Sequence, residues 1–151
     1  MSNSQAMCTS FKTEILDGIH ALGTTVIRAG TGADTLKAAL YLASATVNAA
    51  TTAYSATGEV TGSGYSAGGI TATNANQPAN SGTTAYWTPS ASFTYTSVTL
   101  STAFDAVLIY NSSQSNKAIS VHTFGSQTVT AGTFVLSMPT NDASTGLLRI
   151  A

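Results

Sequence analysis

The side chains able to do chemistry are few. Two histidines, one cysteine and six carboxylates are spread over 151 residues: His20, His122, Cys8, Glu14, Asp17, Asp34, Glu59, Asp105 and Asp142. A Cys/His pair could supply a nucleophile and its base, but Cys8, His20 and His122 stand far apart in the chain, and only a coincidence of folding would join them. His20 falls near the end of a helical pattern, where a cation suits the helix dipole. His122 alternates with Val121 and Thr123 as a strand residue would. Both read as structural or surface histidines. Paired carboxylates could serve glycoside hydrolysis, but Asp34, in Gly-Ala-Asp-Thr, has turn chemistry, and Asp105, in Phe-Asp-Ala, opens the most apolar run of the chain. The exposed aromatics and charges of a glycosidase groove are missing. Gly62-Ser63-Gly64-Tyr65-Ser66-Ala67-Gly68 has the spacing G-x-G-x-x-x-G, one residue too long for a dinucleotide loop and without a strand–helix unit around it. No phosphate loop of the form G-x-x-x-x-G-K-[ST] occurs. Asn111-Ser112-Ser113 matches a glycosylation acceptor, which matters only in a secreted chain. A single cysteine makes no internal disulfide and founds no metal cluster. The expectation is a non-enzyme with no catalytic, cofactor-binding or metal-binding residue.

The elements that would position these groups are mostly strands. Ser10 to Leu22 is the only good helix pattern, with Phe11, Ile15, Leu16, Ile19 and Leu22 on one apolar stripe. Ser10 is placed to cap its first turn and Gly23 to end its last, and Gly18 weakens its middle. From Thr24 the pattern changes. Thr24 to Arg28 is a short β-branched run, followed by a turn at Gly30 and Gly32. Thr35 to Leu42 is helix-prone by propensity but is assigned to a strand, because glycines precede it and Thr46, Val47, Thr51 and Thr52 follow. Glu59 to Ile70 is dense in glycine, as at bulges and hairpins. Asn74 to Gly82 has loop composition. Phe93 and Tyr95 alternate in one phase, and Val98 and Leu100 in the other, which predicts a bulge or turn near Ser97. Ala106 to Tyr110 is continuously apolar, like a strand covered on both faces. It leads through the polar turn Asn111 to Asn116 into Ala118 to Phe124, a natural hairpin. Gly125 and Gly132 mark further turns, Phe134, Leu136 and Met138 share a face, and Leu147 to Ile150 closes the chain. The spacing predicts a mainly β chain: a single antiparallel β-sandwich, jelly-roll-like, or a barrel, with about eight to ten strands and a short N-terminal helix. The predicted organisation is a flexible arm over residues 1–9 and one β domain over 10–151.

Composition bears on function. Charged residues make up 7% of the chain and the net charge is −1, against about 25% charged residues in ordinary soluble domains. No basic stripe for nucleic acid is present, no apolar run reaches the length of a membrane span, and a hydrophobic content of 43% argues against disorder. Met1 to Thr9 is polar and reads as no signal peptide, so synthesis in the cytoplasm is expected. A neutral surface rich in Thr, Ser, Ala and Asn is explained by cover from neighbours in an assembly, since a lone monomer normally keeps surface charge for solubility.

Several phrases together resemble a family of small virion proteins of tailed bacteriophages, the structural, decoration or cement proteins. The phrases are Phe11-Lys12-Thr13-Glu14-Ile15-Leu16, Asp34-Thr35-Leu36-Lys37-Ala38-Ala39-Leu40-Tyr41, the Gly58-Glu59-Val60…Gly64-Tyr65…Gly68-Gly69 segment, Phe104-Asp105-Ala106-Val107-Leu108-Ile109-Tyr110-Asn111 and Gly146-Leu147-Leu148-Arg149-Ile150. The glycine-rich phrase is the most specific of them. The resemblance implies a virion component, assembled in the host cytoplasm and carried outside on the particle, and leaves shell, neck and tail open; a capsid decoration protein on the outside of the head is the leading expectation. On that reading the partners are the major capsid protein, which the resemblance supplies, and copies of the chain itself, with a trimer as the preferred grouping; the resemblance implies no activity or cofactor, and no nucleic acid, membrane or small-molecule substrate is expected. A tail or neck component is the alternative within that class. A glycan-binding fibre module, with Tyr65, Tyr86 and Trp87 as stacking surfaces, is the alternative outside it. The arm Met1 to Thr9 and the loop Asn74 to Gly82 are the expected contact regions, because neither is expected to add much to a core.

Overall fold

The computed structural model of the chain describes residues 2–23 and 33–151. Its elements in chain order are β1 (Ala6–Met7), α1 (Thr9–Leu16), β2 (Leu36–Leu42), β3 (Ile70–Thr71), β4 (Ala79–Ser81), β5 (Thr84–Trp87), β6 (Phe93–Asn111), β7 (Lys117–Leu136) and β8 (Leu148–Ile150). Two antiparallel sheets result, one ordered β1-β7-β6-β2-β3 and one ordered β4-β5-β8. Mainly β with one short helix is the class that the alternating runs indicate, and the arrangement is sandwich-like. The run Thr24 to Arg28 and the turn at Gly30 and Gly32 lie outside the described residues.

The core forms where the sequence is continuously apolar. Ala106 to Tyr110 of β6 and Leu36, Ala38, Ala39, Leu40 and Tyr41 of β2 are buried. These two strands pair from Leu36↔Asn111 to Leu42↔Phe104, at the middle of the larger sheet where both faces are covered. Tertiary burial thus overrides the helix propensity of Thr35 to Leu42. Trp87 of β5 and Leu148 of β8 bring the smaller sheet into the same core.

The bulge anticipated near Ser97 is present. Ser97 has a positive φ of 53° and the β6–β7 register shifts between Tyr95 and Val98. One extra residue reverses the alternation, so Phe93, Tyr95, Val98 and Leu100 are all buried. Gly125 and Gly132, in contrast, make no turn. β7 runs through both, and the irregularity is absorbed by a bulge in which Ala131 has φ 46° and its N–H bonds Thr99 Oγ1 at 3.0 Å.

The helix is shorter than its stripe. α1 stops at Leu16 because Gly18, at φ 68°, takes the left-handed position just after the helix. Ile19 N–H then returns to Glu14 O at 2.9 Å and Gly18 N–H to Ile15 O at 3.0 Å, the paired bonds of a Schellman ending. The glycine that weakens the middle of the predicted helix is its terminator, and Gly23 has no part in it. Ser10 does not cap either: Cys8 holds the N-cap position without a side-chain bond, and Ser10 Oγ is buried without a partner.

The segment expected as a free arm is tied down. Ala6 and Met7 pair with Val121 and Ser120, Ser4 N–H bonds Val47 O at 3.0 Å, and Asn3 donates to Leu42 O at 3.0 Å and Asp105 Oδ1 at 2.6 Å. Cys8 sits fully inside the core. Asn74 to Gly82 is likewise built in. Asn74 bonds both backbone groups of Gly23, Asn76 Nδ2 donates to Thr88 O at 2.9 Å, and Ala79–Ser81 forms β4. Polar composition hides these roles, because Asn side chains here replace backbone partners.

Candidate functional site

Five of the nine chemistry-bearing residues, Glu59, Glu14, His20, Asp34 and His122, lie in three places. The first is the glycine-rich segment. Its Glu59 pairs across from Tyr41 on the outer edge of β2, where Val60 N–H bonds Leu40 O at 3.0 Å and Leu42 N–H bonds Gly58 O at 2.9 Å. The buried carboxylate accepts from Tyr54 Oη at 2.6 Å, Tyr65 Oη at 2.7 Å and the Gly68 N–H at 2.8 Å. Tyr65 Oη accepts in turn from Leu40 N–H at 3.0 Å, and Tyr110 Oη donates to Gly68 O at 2.8 Å. Tyr54 stacks on Tyr110 with ring centres 4.7 Å apart. Burial, and next the Glu59 hydrogen bond, push the Tyr54 and Tyr65 hydroxyls well above the ordinary tyrosine range. Burial pushes Tyr41 up to about 12, against the pull of the Ser55 N–H that donates to its Oη at 3.3 Å. These hydroxyls stay protonated and donate. The anion at the glycine loop is therefore the chain's own carboxylate, an arrangement that fixes a loop.

The second place is the corner between α1 and the β6–β7 turn. Lys117 Nζ donates to Glu14 Oε1 at 2.7 Å and His20 Nε2 lies 2.7 Å from Glu14 Oε2. Asn111 Nδ2 lies 3.0 Å from His20 Nδ1 and 2.7 Å from Asp34 Oδ2. Because Ser113 N–H occupies Asn111 Oδ1 at 3.1 Å, it is the amide nitrogen that faces the ring. His20 Nδ1 accepts, and Nε2–H donates to Glu14. Burial alone would raise the Glu14 carboxyl, but the bonds from Lys117 and His20 outweigh it and hold the carboxyl low. Asp34, expected in a turn, also accepts from Ala21 N–H at 2.7 Å and Gln114 Nε2 at 3.2 Å. The corner ties the helix to the hairpin.

The third place is a Ser–His pair that sequence reading passes over, although its i, i+2 spacing in a strand is the available signal. Ser120 Oγ and His122 Nε2 are 2.9 Å apart on β7, on the wall of a cavity of about 660 Å³ that Arg149 also lines. Burial pushes His122 down to about 4, which makes it a weak base for activating a hydroxyl at neutral pH. The sign for stability follows. Between pH 6.5 and about 4 the unfolded chain binds this proton and the folded chain does not, so stability falls as pH drops through that window. His122 as a residue is half-buried, which limits the loss to ~1–2 kcal/mol. Urea titrations from pH 7 to 4 are expected to show this slope in the native chain and its loss in His122→Gln.

Cys8 meets neither histidine: its Sγ lies 3.9 Å from Asn48 O, and burial, then the Glu14 charge, push the thiol up to about 11, which leaves it unreactive. Among the described residues no three of His, Cys, Asp and Glu converge as metal ligands would. Tyr65, Tyr86 and Trp87 form no joint platform. Tyr65 belongs to the Glu59 cluster, and Trp87 is buried with its Nε1–H on Asn76 O at 3.0 Å. Trp87 and Tyr86 instead line an apolar cavity of about 450 Å³ beside α1. No helix among the described residues is long and apolar enough to cross a membrane. No family model, curated protein or solved structure matches the chain.

Proposed function

We propose that this chain is a non-catalytic structural subunit of a tailed-bacteriophage virion, a decoration protein that stabilises the outside of the head shell. Its partners are the major capsid protein and further copies of itself, grouped at three-fold positions. The reading rests on the residue phrases that resemble that family. The observation that carries it furthest is where the ionisable groups go. Of the six carboxylates, Glu14, Asp34 and Glu59 are buried in internal networks, and the glycine-rich phrase is a loop clamp around one of them. The residues between Glu59 and Asp105 carry no charge. Such a surface holds a neighbour by shape and apolar burial, at about 25 cal/mol per Å², since isolated surface ion pairs contribute only about 0–1 kcal/mol each. Contacts repeated around a symmetric shell then add through multivalency.

The test is a wash of purified particles. At about 1 M salt the Debye length falls to near 3 Å and charge-held proteins detach. The expected result is retention through that wash, release in low urea, and a copy number in the hundreds per particle, as a shell of many repeated subunits requires. Release in salt, a few copies per particle, or labelling confined to the tail would overturn the reading.

A further inference from the structure

Among the described residues three large apolar side chains are exposed, Leu16 at 89% and Val135 and Ile150 at 49% each. Val135 belongs to a long strand edge. β7 lies near the border of the larger sheet, and β1 pairs with it only at Ser120 and Val121. Further along, β6 and β7 form a two-stranded ribbon, Phe93 to Phe104 against Gln127 to Leu136. The β6 edge of this ribbon is closed by the glycine-rich segment, where Ser63 pairs with Thr99 and Thr99 N–H bonds Ser63 O at 2.9 Å. The β7 edge has no such cover. Among the described residues, no backbone group from Gln127 to Leu136 bonds anything outside the ribbon. An open edge presents a row of unpaired N–H and C=O groups, and chains that stay single guard it with Lys, Pro or a bulge. From Ala118 to Asn141 there is no Asp, Glu, Lys or Arg, and the one proline, Pro139, comes after the strand. The bulge at Ala131 interrupts the edge, but β7 carries no extra residue from Gly132 to Leu136.

We propose that Gly132 to Leu136 pairs antiparallel with the same segment of a second copy, across a two-fold axis at Phe134, so that the larger sheet continues from one chain into the other. Unpaired main-chain groups on a strand edge are satisfied by another extended strand. A second copy supplies one with no like charge to repel it, because the segment is uncharged. The register follows from the pleat. Directly opposed residues of an antiparallel pair share a face. With the axis at Phe134 all five residues find a partner, Gly132 against Leu136, and the exposed Thr133 meets the other copy's exposed Val135. That β-branched pair occurs twice. Moving the axis to Val135 runs past the strand end at Leu136, and moving it to Thr133 runs into the bulge at Ala131. An edge that pairs with itself is used up in the pair. The far border of the sheet, β3, is two residues long, so a closed dimer forms and no fibre grows. Any three-fold grouping then uses another surface. The inference does not need the virion reading. It is tested on the isolated protein, so its failure and a failed particle wash are separate results.

Sedimentation equilibrium of the native chain is expected to show a dimer, and amide hydrogen exchange within Gly132 to Leu136 should slow as its concentration rises. The double variant Thr133→Lys, Val135→Lys opposes lysines at both cross-strand pairs and should raise the dimer dissociation constant roughly 10-fold or more. Thr133→Glu, Val135→Glu should do the same. Both positions are exposed, so neither variant disturbs the core. Mixing the two is the decisive step. Each lysine then faces a glutamate, and the mixture should form a heterodimer tighter than either variant alone. If a double variant fails to fold, Val135→Lys mixed with Thr133→Glu opposes one such charge pair and carries the same expectation. A native chain that stays monomeric at about 1 mM, the weak end of specific affinity, would leave the edge to a strand of another protein and overturn the proposal. So would a lysine variant of unchanged affinity, which would put the dimer contact elsewhere, or a mixture no tighter than its components.

Discussion

Replacing Glu59 by alanine is expected to lower the melting temperature by roughly 10 °C or more, which in a domain of this size corresponds to ~3–5 kcal/mol. The cost lies less in the lost carboxylate than in the donors left behind. Tyr65 Oη and the Gly68 N–H are directed inward at Glu59 Oε1, at 2.7 and 2.8 Å, and a buried donor without its acceptor costs about 1–3 kcal/mol. Tyr54 is only half-buried and can turn to water, so its share is small. A methyl group also leaves a hole where the carboxylate filled space, which adds to the loss. Glu59→Gln separates these effects. Its carbonyl oxygen still accepts from Tyr65 and Gly68, and only Tyr54 meets an amide nitrogen, so the loss should be about 1–2 kcal/mol. Urea unfolding of both variants checks the ordering. Equal losses would show that the site needs the anion, and no loss from Glu59→Ala would show that the hub holds nothing.

The two ends of that hub were unequally legible in the sequence. The strand at Thr35 to Leu42, the hairpin around Asn111 to Asn116 and the bulge at Ser97 follow from alternation and its reversal, which is local information. The glycine density between Gly58 and Gly69 signals close backbone approach, but no period reveals which backbone is approached or that Glu59 is the anchor. The pairing of Glu59 with Tyr54 and Tyr65 depends on where β2 lies, and β2 is brought there by β6, about seventy residues downstream. The same limit explains Leu16. A helical stripe counts it as core, whereas a Schellman ending at Gly18 is decided by hydrogen bonds that compete with continuing the helix. It also explains the arm. Asn3 and Cys8 look like loop residues until β7 offers an edge for Ala6 and Met7. His20, Asn111 and Asp34 come from three separate runs and meet only through the β2–β6 register, which places Leu36 opposite Asn111.

Gly69→Ala is expected to be among the most damaging single substitutions in the chain, at ~4 kcal/mol or more, read as loss of soluble protein or a melting temperature lowered by at least about 10 °C. Two effects coincide at this position. Its φ of 69° lies in the left-handed region, where a side chain alone costs roughly 1–2 kcal/mol. Its added Cβ would stand 1.7 Å from Ala38 O and 2.7 Å from Ala39 Cα, and those are backbone atoms of β2 that cannot swing aside. Ala38 pairs with Ile109 of β6 and with Ile70 of β3, and its carbonyl accepts from Tyr95 Oη at 2.8 Å. Moving it therefore disturbs the middle of the larger sheet as well as the loop, which is how overpacking in a dense core becomes expensive. Gly82→Ala is the matched control. Its φ is 56°, but the space around its added Cβ is open, so only the conformational cost remains, at about 1–2 kcal/mol. If the two variants unfold at the same urea concentration, the contact of the glycine segment with β2 contributes nothing. A gap of more than about 2 kcal/mol between them would measure that contact directly, since the backbone penalty is common to both.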